Sequence, residues 1–177
     1  MFAIFQGDVG KIMVFSARDG TLLRSWTPGQ KVMTMALVEG GRELVACEGV
    51  LTFGRDGHTW IYDTGTGKAV GELKHPGLTM VWPQYSRESG ILATLGGGNS
   101  NIITLWDVKR RVRIGELQPN PRTMKFYFSP DGRRIVTNSP DGTVGIWDSR
   151  TGEQYLDLAY PWPISVEPYG RGSDAQF

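Results

Sequence analysis

Four eleven-residue stretches of this 177-residue chain align without a gap: SARDGTLLRSW from Ser16, DTGTGKAVGEL from Asp63, DVKRRVRIGEL from Asp107 and DSRTGEQYLDL from Asp148. An aromatic residue precedes each one (Phe15, Tyr62, Trp106, Trp147), and an aliphatic residue stands just before that (Val14, Ile61, Leu105, Ile146). Each stretch closes on a large apolar side chain: Trp26, Leu73, Leu117 or Leu158. The copies lie 47, 44 and 41 residues apart. Such a period means that one supersecondary unit is built repeatedly and that neighbouring units bury each other's apolar faces.

Each copy reads as two strands around a tight turn. In TVGIWD the residues Val144, Ile146 and Asp148 alternate with Gly145 and Trp147, the period of a strand with two different faces. Gly20, Gly67 and Gly152 occupy the turn position where a left-handed residue closes the hairpin. The third copy places Arg111 there, at a cost of about 1 kcal/mol relative to glycine. A second column supports the register: Thr34-Met35, Thr79-Met80 and Thr123-Met124 recur 45 and 44 residues apart, each expected to open an apolar strand. ELVACE (43–48), GILATL (90–95) and RRIVTN (133–138) follow as further strands. SPDG occurs at 129–132 and again at 139–142, a turn on either side of RRIVTN, with Pro fixing φ, Asp bonding back to its own backbone and Gly accepting positive φ. A full unit is therefore four antiparallel strands, a to d, with the aromatic closing strand c.

A four-stranded unit of this length with Trp-Asp closing its third strand is the signature of a propeller blade. On Leu105-Trp106-Asp107, Ile146-Trp147-Asp148, Ile61-Tyr62-Asp63 and FSPDG (128–132), the chain resembles the WD-repeat (WD40-type) β-propeller family over nearly its whole length. The resemblance implies an all-β fold of about four blades: blade A from 1–26 with 163–168 as its strand a, blade B from 31–73, blade C from 78–117 and blade D from 123–158. Strong members of that family link a His, a Ser or Thr of strand b, an Asp of the b–c turn and the strand-c Trp by hydrogen bonds. Thr137, Asp141 and Trp147 fit three of these places, with Asn120 or Pro119 where His would stand. The preceding unit offers His75, Thr94 and Trp106, with Ser100 in place of Asp.

The first unit begins at strand b, and PISVEP (163–168) puts Ser165-Val166 in the Thr-Met column, 42 residues after Thr123. A strand a without its b and a b without its a would complete one another. Three architectures satisfy this: a ring of four blades, two chains closed head to tail, or a slice of a longer propeller. The slice and the dimer are the favoured expectations, because blade taper suits larger rings.

Candidate chemistry is sparse. His58 and His75 are the two histidines, and Cys47 has no second thiol, so no metal ligand set and no cofactor is expected. Asp63, Asp107 and Asp148 recur at one blade position, too far apart around a ring to act as the paired carboxylates, roughly 5–9 Å apart, of a glycosidase; they read as turn stabilisers. GGGNSN (96–101) lacks the Gly-Lys and following helix of a P-loop and reads as a b–c turn. No Gly-x-Ser-x-Gly elbow surrounds either SPDG serine. Lys109–Arg113 is the one dense basic cluster, set in a c–d turn, and a net charge of +1 recruits neither nucleic acid nor anionic lipid. No apolar run is long enough for a membrane helix.

The family resemblance implies a non-catalytic scaffold that binds protein or peptide partners through the loops of one face. On this chain that face would carry Lys31, Arg55, His75, Asn99, Asn120 and Pro140, while Phe15, Tyr62, Asp63, Trp106, Asp107, Asp141, Trp147 and Asp148 build the blades. A homodimer or further blades would complete the ring. The alternatives are a hydrolase or lyase at the central channel, for which strand a offers only Thr34, Thr79, Lys125 and Glu167, and a nucleic-acid-binding module using Lys109–Arg113. The single cysteine fits a reducing compartment, and a cytoplasmic location is the corresponding expectation.

Overall fold

The computed structural model describes residues 1–7, 10–48, 56–76, 81–96 and 101–159. They form four antiparallel meanders, one per repeat, with a single 3-10 turn at Glu39–Gly41. Blade A holds β1 (Phe2–Gln6), β2 (Lys11–Phe15) and β3 (Leu22–Trp26). Blade B holds β4 (Val32–Val38), β5 (Glu43–Glu48), β6 (Gly57–Asp63) and β7 (Ala69–His75). Blade C follows with β8 (Val81–Ser86), β9 (Ile91–Gly96), β10 (Ile103–Asp107) and β11 (Val112–Leu117). Blade D has β12 (Lys125–Phe128), β13 (Arg134–Asn138), β14 (Thr143–Asp148) and β15 (Gln154–Ala159). In every sheet the strands lie in chain order. Both SPDG turns close as expected: Gly132 N–H donates to Ser129 O at 2.8 Å and Gly142 N–H to Ser139 O at 3.0 Å.

The four c–d hairpins share a feature that the sequence did not announce. Each has a register shift immediately before the aromatic, between Val14 and Phe15, Ile61 and Tyr62, Leu105 and Trp106, and Ile146 and Trp147. A bulge there bends the hairpin and increases its twist. The left-handed turn residues are also in register, with φ of 72°, 72° and 76° at Gly20, Gly67 and Gly152 and 58° at Arg111. Thr34-Met35 lies within β4 rather than opening it, and Thr123-Met124 precedes β12; Thr79-Met80 and the 163–168 segment lie outside the described residues.

Packing between blades follows one rule. The strand-c aromatic faces the preceding blade, and the aliphatic residue before it faces the following one. Three apolar clusters result, one for each junction. Ile12 of blade A meets Leu44, Ala46 and Tyr62 of blade B, with Trp26 and Trp60 against them. Val45, Ile61 and Leu73 of blade B meet Leu92 and Trp106 of blade C. Ala93, Leu105 and Leu117 of blade C meet Phe126, Ile135 and Trp147 of blade D. Leu44, Ile61, Leu105 and Ile135 are wholly excluded from solvent, and each such side chain contributes about 1.5–3 kcal/mol relative to exposure. Among the described residues no cluster joins blade D to blade A, so the sheets form an open arc and not a closed four-blade ring.

The c–d turns lock the arc from outside. Gly67 sits against Trp26 of the preceding blade, where an added Cβ would lie 3.2 Å from the indole. Gly152 sits against blade C, where a Cβ would fall 2.5 Å from Glu116 O. Arg111 occupies the same place at the B–C junction and is accommodated because Gly71 stands opposite: a Cβ on Gly71 would lie 2.9 Å from Arg111 Cδ. Its guanidinium donates to Val70 O and pairs with Glu43 Oε1 at 3.1 Å. The unfavourable backbone at this turn thus accompanies a clamp between blades.

Candidate functional site

Neighbouring sheets approach at their first strands, β4 with β8 and β8 with β12, which places those strands on the concave side of the arc. A groove of about 510 Å³ runs along them. Thr34 of β4, Trp82, Pro83 and Gln84 of β8, and Lys125 to Tyr127 of β12 line it, together with Leu95, Asn101, Thr123 and Met124. Trp82 is 44% exposed and Met124 69%. β8 and β12 are the end strands of their sheets and run beside this apolar surface. The loop end of the groove is fixed by Asn101, whose Nδ2 donates to the carbonyl oxygens of Pro121 and Thr123, the latter at 3.0 Å. Asn101 adopts a left-handed φ of 40° to do so.

Three of the residues expected on a loop face can be located individually. Lys31 is exposed, and Asn120 and Pro140 are half-buried. Asn120 Nδ2 donates to Asp141 Oδ2 at 3.0 Å and to Thr143 Oγ1 at 3.3 Å, so it ties the d–a connection to the b–c turn. The side-chain and backbone hydrogen bonds of Thr143, with those of Asn120, hold the Asp141 carboxyl below its ordinary range. Arg55 and Asn99, with Ser100, lie outside the described residues.

His75 requires a correction. It ends strand β7 and is 1% exposed, with Nε2 2.9 Å from Thr59 Oγ1, whose own oxygen lies 3.2 Å from Cys47 Sγ. Its ring meets Trp106 edge-on at 5.1 Å between centroids. A residue so enclosed offers nothing to a partner. The signal was in the sequence: period-two alternation from buried Leu73 places residue 75 on the same inward face. Burial, and then the nearby His58, lowers the His75 pKa to about 4. Burial likewise pushes the Cys47 thiol up to about 12, opposed by its bond to Thr59. A thiol this basic is a packing group and not a nucleophile.

The blade-motif residues occupy equivalent positions. Trp106 Nε1 donates to Thr94 Oγ1 at 2.9 Å and Trp147 Nε1 to Thr137 Oγ1 at 3.0 Å. Gly145 is required here, since a Cβ would stand 2.6 Å from the Trp147 nitrogen. A polar pocket of about 180 Å³ separates Thr137 from Asn120, where the longer family network would place its histidine. Tyr62 instead accepts from Gln30 Nε2 at 2.8 Å, and Phe15 stacks on Phe2 at 5.2 Å. The aspartates hold turns. Asp63 Oδ1 accepts from Thr66 Oγ1 and N–H, both at 2.7 Å, Asp107 Oδ1 from Arg110 N–H at 2.8 Å, and Asp148 Oδ1 from the N–H groups of Arg150 and Thr151 at 2.8 Å. The Thr66 bonds lower the Asp63 pKa. No group of three His, Cys, Asp or Glu residues is placed to hold a metal among the described residues.

Comparison with known proteins fits this geometry. No protein-family model matches the chain. It is 27% identical over 115 residues to eukaryotic translation initiation factor 3 subunit I of Phaeosphaeria nodorum, covering 64% of this chain and 31% of that protein. It is 26% identical over 107 residues to WD repeat-containing protein VIP3 of Arabidopsis thaliana, covering 52% of this chain and 33% of the relative. The chain belongs to the WD-repeat family. A longer match, 30% identical over 154 residues and 85% of this chain, is to U3 small nucleolar RNA-associated protein 21 of Saccharomyces cerevisiae, of which it spans 15%. This WD-repeat chain therefore covers a third or less of the length of these relatives. The cytoplasmic expectation is corrected by the same finding, since the Saccharomyces relative is named for a nucleolar RNA. One buried thiol indicates only that no disulfide forms within the chain, which suits any reducing compartment.

Proposed function

We propose that this WD-repeat chain is a non-catalytic scaffold that holds an extended segment of a partner protein in the concave groove. The observation that carries this reading is the exposure of Trp82 and Met124 along one groove that runs between the first strands of blades B, C and D. An elongated groove with apolar anchors suits an extended segment, whose alternate side chains would enter the surface between Trp82 and Met124. Lys31, Asn120 and Pro140, together with Arg55 and Asn99, would border the bound segment on the loop face. A relative that is itself named as a subunit of an initiation factor is consistent with a role in assemblies.

The two alternatives receive less support. The groove lining contains Lys125 but no carboxylate or imidazole among the described residues, a poor basis for acid–base chemistry. The Lys109–Arg113 cluster has its arginines engaged: Arg110 lies 3.8 Å from Asp107, Arg111 clamps blade B and Arg113 pairs with Glu116. Affinity capture from nuclear and whole-cell extracts tests the scaffold reading, with the wild-type chain beside a Trp82→Ser/Lys125→Glu variant of unchanged melting temperature. The expected result is a set of proteins retained by the wild type and lost from the variant. Identical sets, or none above background, would overturn it.

A further inference from the structure

We propose that the two outer faces of the arc are halves of one interface, and that a second copy of this chain fills them head to tail. The argument starts from equivalent positions. Leu73 and Leu117, which each cover the next blade, are 1% and 0% exposed, whereas their counterpart Leu158 in blade D is 46% exposed. Ile146 and Leu156 lie on that same uncovered face, paired across β14 and β15. At the other end of the arc, Phe15 holds the aromatic position that faces a preceding blade. It is flanked on that face by Phe2 and by Ile4, which is 45% exposed.

The two faces are therefore not alike; they are the two sides of the junction already built three times within the chain. Blade D presents the aliphatic side and blade A the aromatic side. The turn glycines support the same conclusion. Gly67 and Gly152 each tuck against the preceding blade, while Gly20, with the same left-handed backbone, has open space around it. In a head-to-tail pair Gly20 would meet the partner's β15.

Sheet A also has three strands where the others have four, leaving the edge of β1 unpaired among the described residues. At the three described junctions the chain passes from strand d of one blade to the first strand of the next. Such an interface is heterologous and closes with two copies, giving eight blades, the upper end of the usual range of about 4–8. Further blades from a longer polypeptide would satisfy the same faces, and the test separates the two occupants.

Light scattering and sedimentation of the 177-residue chain at tens of micromolar should report twice the chain mass. Ile4→Glu and Leu158→Glu, both at exposed positions, should each give the single-chain mass with an unchanged strand signature by circular dichroism. Mixed in equal amounts they should regain the doubled mass, because one of the two junctions is then wild type on both sides. A wild-type chain that sediments at single-chain mass would overturn the proposal and assign the faces to other blades. So would a dimer that survives either substitution, the behaviour of a self-matched interface, or a mixture that stays at single-chain mass.

Discussion

Blades B and D occupy equivalent places in the repeat and secure the strand-c aromatic in opposite ways. In blade D the indole of Trp147 turns inward to Thr137, a buried bond within one sheet. In blade B the positions of Thr137 and Trp147 hold Ala46 and Tyr62, and the phenol turns outward to Gln30 in the connection from blade A. Both aromatics are nevertheless buried, at 4% and 6% exposure, and both sit one residue after the same bulge. The hydrogen bond is thus dispensable to the position, whereas the ring is not. Blade B then carries its buried polar chain elsewhere, through Cys47, Thr59 and His75.

That contrast can be broken most forcefully by removing the rings. Trp147→Ala and Tyr62→Ala should each destabilise the chain by about 4 kcal/mol, read as a shift of the urea midpoint by circular dichroism. A loss at Tyr62 far smaller than at Trp147 would mean that the indole–threonine bond, and not the ring, sets the junction.

The second effect belongs to blade B alone. His75 has its pKa lowered from 6.5 to about 4 by burial, so the folded chain binds fewer protons than the unfolded chain between these values. Its contribution is complete above pH 6.5 and is lost as the pH falls towards about 4, a decline of up to about 3 kcal/mol. His75→Gln should flatten this limb of the stability–pH curve; an unchanged slope would show that the imidazole is not responsible.

Much of this organisation was legible in the chain itself. The repeat fixed the hairpins because turn glycine, aromatic and aliphatic positions recur in one frame, and the period-two pattern of TVGIWD separated its two faces. Arg111 was recognisable as the exception at a glycine position. What escaped were relations between blades: the clamp from Arg111 to Glu43 joins residues far apart in sequence, and the facing glycine, Gly71, has no local signature. The bulges escaped because no residue type marks them. His75 differs from its expected place in a d–a loop because β7 continues past Leu73 to residue 75. Trp82 and Gln84 of the groove carry no signature in the sequence, because the strand-a positions singled out there, Thr34, Thr79, Lys125 and Glu167, are those weighed for channel chemistry and not for apolar contact.

Two smaller effects sharpen the comparison. Thr137→Val leaves the Trp147 N–H buried without an acceptor and should cost about 1–2 kcal/mol, whereas Tyr62→Phe releases a partly solvated pair and should cost less than about 1 kcal/mol. Equal losses in chemical denaturation would remove the distinction between inward and outward anchoring. Smallest of all is Arg111→Gly. Relief of the left-handed backbone, about 1 kcal/mol, offsets the loss of a partly exposed ion pair of about the same size. Its melting temperature should stay near that of the wild type, while Arg111→Ala, which keeps the strain and loses the clamp, should fall below it.

The three apolar clusters share no residue with one another. The molecule consequently has no centre that all its parts defend. Each sheet is held by its immediate neighbours, so an end sheet can detach by giving up a single contact surface while the middle pair must give up two. In the unpaired single chain, as in the Ile4→Glu variant, amide protons should therefore survive longest in β5, β6, β9 and β10, and fraying should advance from the outside inward, one module at a time.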